Sequence, residues 1–246
     1  MGETQRLDVA MVERGLVPTR ARARDAILRG HVTVAGKRAE KAAQGVDAHT
    51  EIAVDDPAQP YVARSALKLI AGLDHFGLSP EGRTALDIGA STGGFTQVLL
   101  ERGARRVYAI DVGHDQLHPA IAADPRVISR EGLNARDLSD ADLGEEIGAV
   151  VADVSFISLR LVLPAASALA ARGAWGVFLA KPQFEVGPAN LGKGGVVRDT
   201  GLAERAARDL ARWIASDLRW QILGVIPSPI DGGDGNREFL IGARRD

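Results

Sequence analysis

The chain contains no cysteine, few aromatic residues and no excess of positive charge. The absence of cysteine excludes a disulfide framework and thiolate metal sites, and it fits a reducing compartment. The 30 Lys and Arg residues against 32 Asp and Glu residues give a formal charge of −2. No global positive field therefore draws the protein to nucleic acid or anionic lipid, and any such binding must come from a local patch.

Long apolar segments are also missing. The longest runs, such as residues 174–180, are far below the roughly 20 residues that cross a bilayer. The first residues, MGETQRLDVAMVERG, include acids and lack the apolar region of a signal peptide. We therefore expect a cytoplasmic protein that does not interact with membranes, and with only 5 His we expect no metal centre.

Composition divides the 246 residues into two unlike parts. Residues 1–41 carry nine Lys and Arg against five acids, a local excess of four positive charges, whereas residues 42–56 carry acids and no Lys or Arg. The Pro-containing stretch DDPAQP follows, as is typical of a boundary. We predict a small domain at 1–56, a linker at 57–63 and a second domain at 64–246.

The basic part has the pattern of two helices followed by a hairpin. Thr19 is placed to cap the second helix and Gly30 to end it, and residues 31–34 alternate as in a strand. Arg20 and Arg24 share one face of that helix because they are four residues apart. They can present guanidinium groups to neighbouring phosphates, or they can form an ordinary solvated face.

From Thr84 onward, short β-rich runs alternate with helical stretches. The runs are TALDIG, RVYAID, RVIS, GAVVADVSF, WGVFLAKPQF, ILGVIPSP and EFLIGA. This alternation predicts an α/β fold with a doubly wound, mostly parallel sheet that is covered by helices on both faces. Ligands bind such sheets at the carboxyl ends of the strands.

The segment at 86–96, LDIGASTGGFT, combines a strand, a glycine-bearing turn and the start of a helix. Its spacing departs from the G-x-G-x-x-G of dinucleotide sites, and the stretch at 187–193 lacks the Ser or Thr that ends a phosphate loop. We interpret 187–193 as a loop over the substrate. S-adenosylmethionine remains the favoured ligand of 86–96, and the alternative is a tight turn without a ligand.

Several polar and glycine residues near this turn are expected to bind the cofactor. Asp111 ends the next strand, where a carboxylate can bind both hydroxyls of a ribose. Asp87 can fix the loop or meet the amino group of the cofactor, and Asn134 can flank the adenine. The full expected set is Asp87, Gly89, Ala90, Ser91, Gly93, Gly94, Phe95, Asp111, Asn134 and Asp153.

Six motifs, taken in order, resemble one family. They are YVARSALKL (61–69), LDIGASTGGFT (86–96), VVADVSFISL (150–159), KPQFEVG (181–187), GGVV (194–197) and GNREFL (235–240). Together they are similar to the TlyA family, historically called hemolysins, whose catalytic half is similar to the FtsJ-type ribose methyltransferases. The N-terminal pattern RLDVAMVERGLVPTRARARDAILRGHVTVAG resembles the S4 RNA-binding domain.

This resemblance implies a Rossmann-like class I methyltransferase domain after a small α+β S4-like domain. It implies methyl transfer from S-adenosylmethionine to the ribose 2′-hydroxyl of a cytidine in the rRNA of a ribosomal subunit. The chain ends shortly after the last predicted strand, without the C-terminal extension associated with dual-site members, so we expect action on 23S rRNA, with 16S rRNA as an open alternative. We also expect a monomer. The expected RNA contacts are Arg6, Arg20, Arg22, Arg24, Lys37 and Arg64.

The resemblance also implies a catalytic tetrad, Lys68, Asp153, Lys181 and Glu238. A ribose hydroxyl is a poor nucleophile, so a base must take its proton as the methyl carbon is attacked. An ordinary lysine, with a pKa of roughly 10.4, is protonated at neutral pH. A second ammonium group in a partly desolvated cleft favours the neutral amine. We therefore expect Lys181, crowded by Lys68 and oriented by the two acids, to be the general base.

Three other functions compete with this hypothesis. A membrane-active hemolysin would need an export signal or a basic amphipathic helix. A ribosome-binding factor without catalytic activity would not need the complete tetrad. A methyltransferase of small molecules would not need the N-terminal domain.

Overall fold

The computed structural model describes residues 4–246. The chain divides into two compact units, Met1–Pro60 and Tyr61–Asp246, so the division falls inside the segment expected to be a linker. On one side of it, the carbonyl of Ala58 accepts a hydrogen bond from Arg22 (2.6 Å). On the other side, the backbone N–H of Val62 donates to the side chain of Gln97 (2.8 Å). The residues next to the division are thus fixed, each to its own unit.

The first unit is a small α+β domain. Its elements are β1 (Gln5–Arg6), α1 (Leu7–Glu13), α2 (Arg20–Arg29), β2 (Val32–Val34), β3 (Lys37–Arg38), β4 (Gly45–Val46) and β5 (Ile52–Val54). Strand β1 pairs with β4, and β3, β2 and β5 form an antiparallel sheet. The predicted helix signals are confirmed, since the Thr19 hydroxyl accepts from the N–H of Arg22 and Gly30 ends α2 in the left-handed region.

The second unit alternates strands and helices. Its elements are α3 (Ala66–Phe76), β6 (Thr84–Ile88), α4 (Gly94–Glu101), β7 (Arg106–Asp111), α5 (Pro119–Ala122), β8 (Val127–Glu131), β9 (Ile147–Ala152), α6 (Leu159–Leu169), β10 (Ala170–Ala180), α7 (Thr200–Asp217), β11 (Trp220–Pro227) and β12 (Phe239–Arg245). Within residues 4–246, no helix combines the length and the apolar character that crossing a membrane requires.

The seven strands of the second unit form one sheet in the order β11-β12-β10-β9-β6-β7-β8. Strands β6 to β10 are parallel, and β12 runs antiparallel to both β10 and β11. The central strands are buried on both faces, which explains why β9 is a nearly continuous apolar run and why even Asp87 of β6 is fully buried. The predicted doubly wound, mostly parallel sheet is confirmed.

Two hydrophobic cores cover the two faces of this sheet. Because side chains alternate along a strand, Leu86 of β6 lies in one core and its neighbour Ala85 lies in the other. The first core includes Leu163 of α6 and side chains of α7, and the second includes Leu69 of α3 and Leu99 of α4. Helices on both faces therefore hold the carboxyl ends of the strands in place.

The strand order reverses at β6, which lies between β7 and β9. An open α/β sheet has its ligand crevice at such a point, outside the carboxyl ends of the strands. The backbone N–H of Asp153 donates to the carbonyl of Ile88 (2.9 Å), so the segments that leave β6 and β9 start side by side. These two segments form the centre of the candidate site.

Helix α6 offers a matched test of the packing. Leu163 is 1% exposed and Leu161, on the same helix, is 54% exposed. We expect Leu163→Ala to lower the free energy of unfolding by about 2 to 5 kcal/mol, because it removes buried surface and leaves a cavity. Leu161→Ala is expected to change it by only about 0.5 kcal/mol. Urea unfolding of both variants measures the difference, and equal losses would contradict the described packing.

Candidate active site

A tight glycine turn follows β6. Gly89 has a φ of +79°, and a Cβ atom there would lie 2.6 Å from the carbonyl oxygen of Asp153. The turn therefore requires glycine, both for its backbone conformation and for the close approach of the segment after β9. The backbone N–H of Ser91 donates to Oδ2 of Asp111 (2.8 Å), which connects the turn to the end of β7.

A cavity of about 500 Å³ opens at this reversal point. Five residues of the expected cofactor set line it: Gly89, Ser91, Asp111, Asn134 and Asp153. Apolar side chains form much of its remaining wall, including Ile88, Ile110, Val112, Leu133, Ile157 and Val162. It is large enough for a nucleoside-sized ligand, since ligand cavities commonly measure roughly 300 to 1,000 Å³.

A smaller cavity of about 210 Å³ lies beside the first. The two share Gly89, Ser91, Asp153 and Ser155, and the smaller one adds Ala90, Phe95 and Lys181. The expected cofactor residues Ala90 and Phe95 thus face this second space. A lysine and a carboxylate lie at the boundary between a large apolar cavity and a small polar one.

Three residues of the expected cofactor set, Asp87, Gly93 and Gly94, lie outside the lining of both cavities. Gly93 precedes α4 with a φ of +98°. A Cβ atom on Gly94 would lie 2.5 Å from the hydroxyl of Ser65, so glycine lets α4 approach the segment before α3. These glycines shape the turn.

Asp87 is a fully buried carboxyl group under the turn. Its Oδ2 accepts a hydrogen bond from the Thr96 hydroxyl (2.6 Å), and its Oδ1 has no hydrogen-bond partner among residues 4–246. Burial raises the pKa of Asp87 to about 7; the bond from Thr96 lowers it, and the nearby charges of Asp153 and Asp111 raise it further. Of the two roles expected for Asp87, the contact with Thr96 corresponds to fixing the loop.

The four residues expected to form the tetrad make two lysine–carboxylate pairs. Nζ of Lys68, on α3, lies 2.5 Å from Oε2 of Glu238, which precedes β12. Nζ of Lys181, which follows β10, lies 2.6 Å from Oδ1 of Asp153, which follows β9. The second contact is an ion pair without hydrogen-bond geometry, since Oδ1 of Asp153 has no hydrogen-bond partner among residues 4–246. Both lysines and Glu238 are buried.

Ser155 is a polar partner that the sequence reasoning missed. Its hydroxyl accepts a hydrogen bond from Nζ of Lys181 (2.8 Å), and Ser155 lines both cavities. The available signal was its position two residues after Asp153, in the same motif. The expected crowding of Lys68 against Lys181 stays a prediction, because the described contact of Lys68 is with Glu238.

A buried asparagine holds the segment that directly follows the 187–193 loop. The side chain of Asn236 accepts from the backbone N–H of Val197 (3.0 Å) and donates to the carbonyl of Gly195 (3.2 Å). Glu238 is two residues further along the same segment. The segment at 195–197 and the carboxylate paired with Lys68 are therefore connected through residues 236–238.

Phe156 is the most exposed large apolar side chain near the site. It is 90% exposed, has a φ of +66° and lines the larger cavity. Its ring centroid lies 5.5 Å from that of Phe184. A non-glycine residue with a positive φ is strained. Such strain persists where the surrounding structure enforces it, often at functional sites.

The residues expected to contact RNA occupy different surroundings. In the first unit, Arg6, Arg20 and Arg24 converge on Asp8, and Lys37 is exposed on β3. Arg22 donates to the carbonyl of Ala58. Arg64 belongs to the second unit, partly buried before α3.

The cavity suits S-adenosylmethionine better than a dinucleotide. Its apolar wall fits an adenine ring and Asp111 at the end of β7 fits a ribose, while the turn lacks the G-x-G-x-x-G spacing of dinucleotide sites. An open sheet with one antiparallel strand, a glycine turn after its first strand and an acid after the second is the architecture of a class I methyltransferase.

Comparison with known proteins defines the family. The FtsJ-like methyltransferase family model matches residues 61–245, and the S4 domain model matches residues 5–52. The chain therefore belongs to the FtsJ-like methyltransferases, and it carries an S4 domain.

Individual relatives place the chain among the TlyA proteins. TlyA of Mycobacterium tuberculosis, named 16S/23S rRNA (cytidine-2′-O)-methyltransferase, is 44% identical over 99% of this chain and 91% of its own length. Hemolysin A of Brachyspira hyodysenteriae is 39% identical over 96% of this chain and 98% of its own. The solved structure of a Streptococcus thermophilus protein with a hemolysin name has a TM-score of 0.77 and 39% identity, over 100% of this chain and 90% of that one.

The raised pKa of Asp87 predicts a specific pH dependence of stability. The folded protein holds this proton more tightly than the unfolded chain, in which an Asp has a pKa of about 3.9. The stability contributed by Asp87 therefore falls as pH rises from about 4 to about 7, by up to roughly 1.4 kcal/mol per pH unit. We expect Asp87→Asn to gain stability relative to the wild type across pH 5 to 7 and to level off above that range.

Urea unfolding at several pH values measures this difference. Thr96→Val is the matched variant, because it removes the hydrogen bond that opposes the rise and should move the pH-dependent range upward. A difference between Asp87→Asn and the wild type that is constant with pH would contradict the assigned protonation of Asp87.

Proposed function

We propose that this protein transfers a methyl group from S-adenosylmethionine to the ribose 2′-hydroxyl of a cytidine in ribosomal RNA. The observation that carries the proposal is the Lys181–Asp153 pair at the boundary of the two cavities, where a large ligand site meets a small polar one. The name of the M. tuberculosis relative supports both the acceptor atom and the RNA substrate. A ribosomal substrate also favours a cytoplasmic location.

We assign the larger cavity to the methyl donor, which supplies an electrophilic methyl group when bound. Asp111 would accept hydrogen bonds from the ribose hydroxyls, Asn134 would flank the adenine, and Gly89 and Ser91 would provide backbone close to the ligand, since all four line this cavity. The carboxylates of Asp153 and Asp111 favour a cationic ligand in this cavity. Of the remaining expected residues, Ala90 and Phe95 line the smaller cavity, and Asp87, Gly93 and Gly94 shape the turn.

Lys181 is the proposed general base. Asp153 and Ser155 hold its Nζ at the smaller cavity, where we place the 2′-hydroxyl. In its amine form, Lys181 accepts the hydroxyl proton at Nζ, and the resulting ammonium is stabilised by the carboxylate of Asp153. Lys68 and Glu238 add a second, buried pair that holds α3 against the segment before β12. Fixing the reacting groups in place contributes to the rate as well.

Phe156 is the proposed platform for the base of the target nucleotide. A nucleotide inside a folded RNA must leave its stack before its sugar can enter a cavity, and an exposed ring can replace the lost stacking. Phe156 is three residues from Asp153 and has nearly all of its surface open to solvent. Stacking on one ring does not require the aromatic-rich surface that the composition lacks.

We assign binding of the rRNA to the S4 domain. The chain has an overall charge of −2, so binding must come from local cations such as Arg6, Arg20, Arg22, Arg24 and Lys37. Arg64, close to Lys68 in sequence, is assigned to the same role beside the catalytic residues. No base-reading set is needed, since structured RNA is bound largely through backbone and shape.

The proposal is tested by transfer of a tritiated methyl group from S-adenosylmethionine to purified ribosomal subunits and to naked 23S and 16S rRNA. We expect label in RNA that resists alkali, because a 2′-O-methyl group removes the hydroxyl that alkaline cleavage requires. The label is then mapped to a cytidine by nuclease digestion. Label on a base, or no transfer to any rRNA, would contradict the proposal.

Lys181→Arg tests the base. Arginine keeps the positive charge beside Asp153 but does not lose its proton in proteins, so we expect the methylation rate to fall by roughly 100- to 10,000-fold. Calorimetry with S-adenosylmethionine should show binding by the variant. Glu204→Gln, at a half-exposed position on α7, is the control that should keep wild-type activity. A wild-type rate for Lys181→Arg would rule out proton transfer to this residue.

Phe156→Ala tests the stacking platform. We expect the KM for rRNA to rise by about 5- to 150-fold, since stacking contributes roughly 1 to 3 kcal/mol per base. Phe156→Tyr keeps the ring and should restore the wild-type KM. Steady-state kinetics with each substrate varied in turn measures both effects. If Phe156→Ala weakens only the binding of S-adenosylmethionine, the ring belongs to the methyl-donor cavity.

A further inference from the structure

The first unit contains a buried carboxylate with three arginine partners. Asp8, in the first turn of α1, has a side chain with no exposed surface. Its Oδ1 lies 2.9 Å from Nε of Arg6, and its Oδ2 lies 3.1 Å from both Nη2 of Arg20 and Nε of Arg24. Arg6 precedes α1, whereas Arg20 and Arg24 occupy successive turns of α2. One carboxylate therefore connects three cations from two elements.

Asp8 is held firmly enough to act as a fixed centre. Its backbone N–H donates to the carbonyl of Ala42 (3.0 Å), and the preceding residue, Leu7, is fully buried in the core of this unit. The hydrogen bond from Arg6, followed by those from Arg24 and Arg20, keeps the pKa of Asp8 well below its usual range. Asp8 is thus ionised and fully used as an acceptor.

The three arginines have more hydrogen-bonding capacity than Asp8 can use. Each guanidinium has five N–H donors, whereas one carboxylate accepts about four hydrogen bonds in total. Their side chains are 47%, 49% and 52% exposed, so the groups are oriented from one side and open to solvent on the other. Three positive charges against one negative charge leave a net charge of +2 in this cluster.

A second acid–arginine cluster in the same unit shows the contrast. Arg29 lies between Asp25 (2.9 Å) and Asp56 (2.6 Å), and its side chain is mostly buried. There, two carboxylates neutralise one cation, so the cluster carries no excess positive charge. It ties α2 to the segment after β5 and has the features of a structural contact. Only the Asp8 cluster, of these two, combines fixed geometry with unneutralised and exposed donors.

We propose that Asp8 is a positioning residue that assembles Arg6, Arg20 and Arg24 into one site for two neighbouring phosphates of an RNA backbone. Guanidinium groups bind phosphate oxygens through paired N–H donors, and a fixed orientation reduces the side-chain entropy that binding would otherwise cost. The net charge of +2 matches two phosphodiesters. The inference rests on the proposed function, because it names how the S4 domain holds the rRNA.

The substitution Asp8→Asn separates positioning from simple charge. Removing the carboxylate makes the surface more positive by one charge, so charge alone predicts tighter RNA binding. The positioning role predicts the opposite, because the three arginines lose their common anchor and repel one another. The sign of the change in affinity therefore decides between the two explanations.

The test is filter binding of radiolabelled 23S rRNA to the full chain at several KCl concentrations. We expect Asp8→Asn to weaken binding by roughly 10-fold or more and to reduce the slope of log K against log salt by about 1, the effect of one lost phosphate contact. Arg24→Lys keeps the net charge but loses the Nε–H that meets Asp8, and it should weaken binding in the same direction. Unchanged or tighter binding by both variants would overturn the inference.

Asp56→Asn is the matched control, since it removes a buried acid from the structural cluster of the same unit. Thermal unfolding should show that it destabilises the protein, while its salt slope stays that of the wild type. If Asp8→Asn does not fold, Asp8→Glu decides the question, because it keeps the negative charge but displaces the carboxylate by one methylene group: weaker binding supports the positioning role, and wild-type binding overturns it. If the wild type binds and methylates rRNA and the variants bind rRNA as tightly as the wild type, only the role of Asp8 is refuted. Wild-type protein that does neither refutes the proposed function as well.

Discussion

The close approach of two backbone turns at the centre of the sheet is the constraint on which the site depends. The turn after β6 and the segment after β9 meet where Gly89 lies against the carbonyl of Asp153, at a distance that leaves no room for a side chain. This contact places Asp153 between the two cavities and, through its ion pair, fixes Lys181 at the end of the neighbouring strand β10. The contact between Gly89 and the carbonyl of Asp153 therefore determines the positions of the two cavities and of Lys181.

The carboxylates of this protein have different roles, which depend on their partners. Asp87 has one hydroxyl partner and one unpartnered oxygen, so burial favours its neutral form. Asp8 has three guanidinium partners and remains ionised. Glu238 and Asp153 each face one lysine at the active site. The number of cations around an acid thus separates support of a turn, orientation of three arginines and pairing with a single buried lysine.

A weakly acidic protein with an RNA substrate needs local cationic sites, and both units supply them. Overall charge gives no attraction, so cations must be concentrated and held in a fixed arrangement. In the S4 domain a single acid gathers three arginines, and in the methyltransferase domain each lysine is held by its own acid. In both places a carboxylate orients cationic side chains. A fixed arrangement of this kind suits the recognition of a structured RNA and the transfer of a methyl group to one hydroxyl.

The sequence by itself determined the order of the elements, the sheet class, the family and the helix ends at Thr19 and Gly30, because apolar periodicity and capping are local properties. It also named the four charged residues of the tetrad through motifs. Tertiary structure alone decided that Lys68 faces Glu238 and Lys181 faces Asp153, that Ser155 joins the second pair, that Asp87 lies outside the cavities, and that Asp8 gathers the arginines. These contacts join residues up to 170 positions apart, and only packing of the whole domain fixes which side chains meet across such separations.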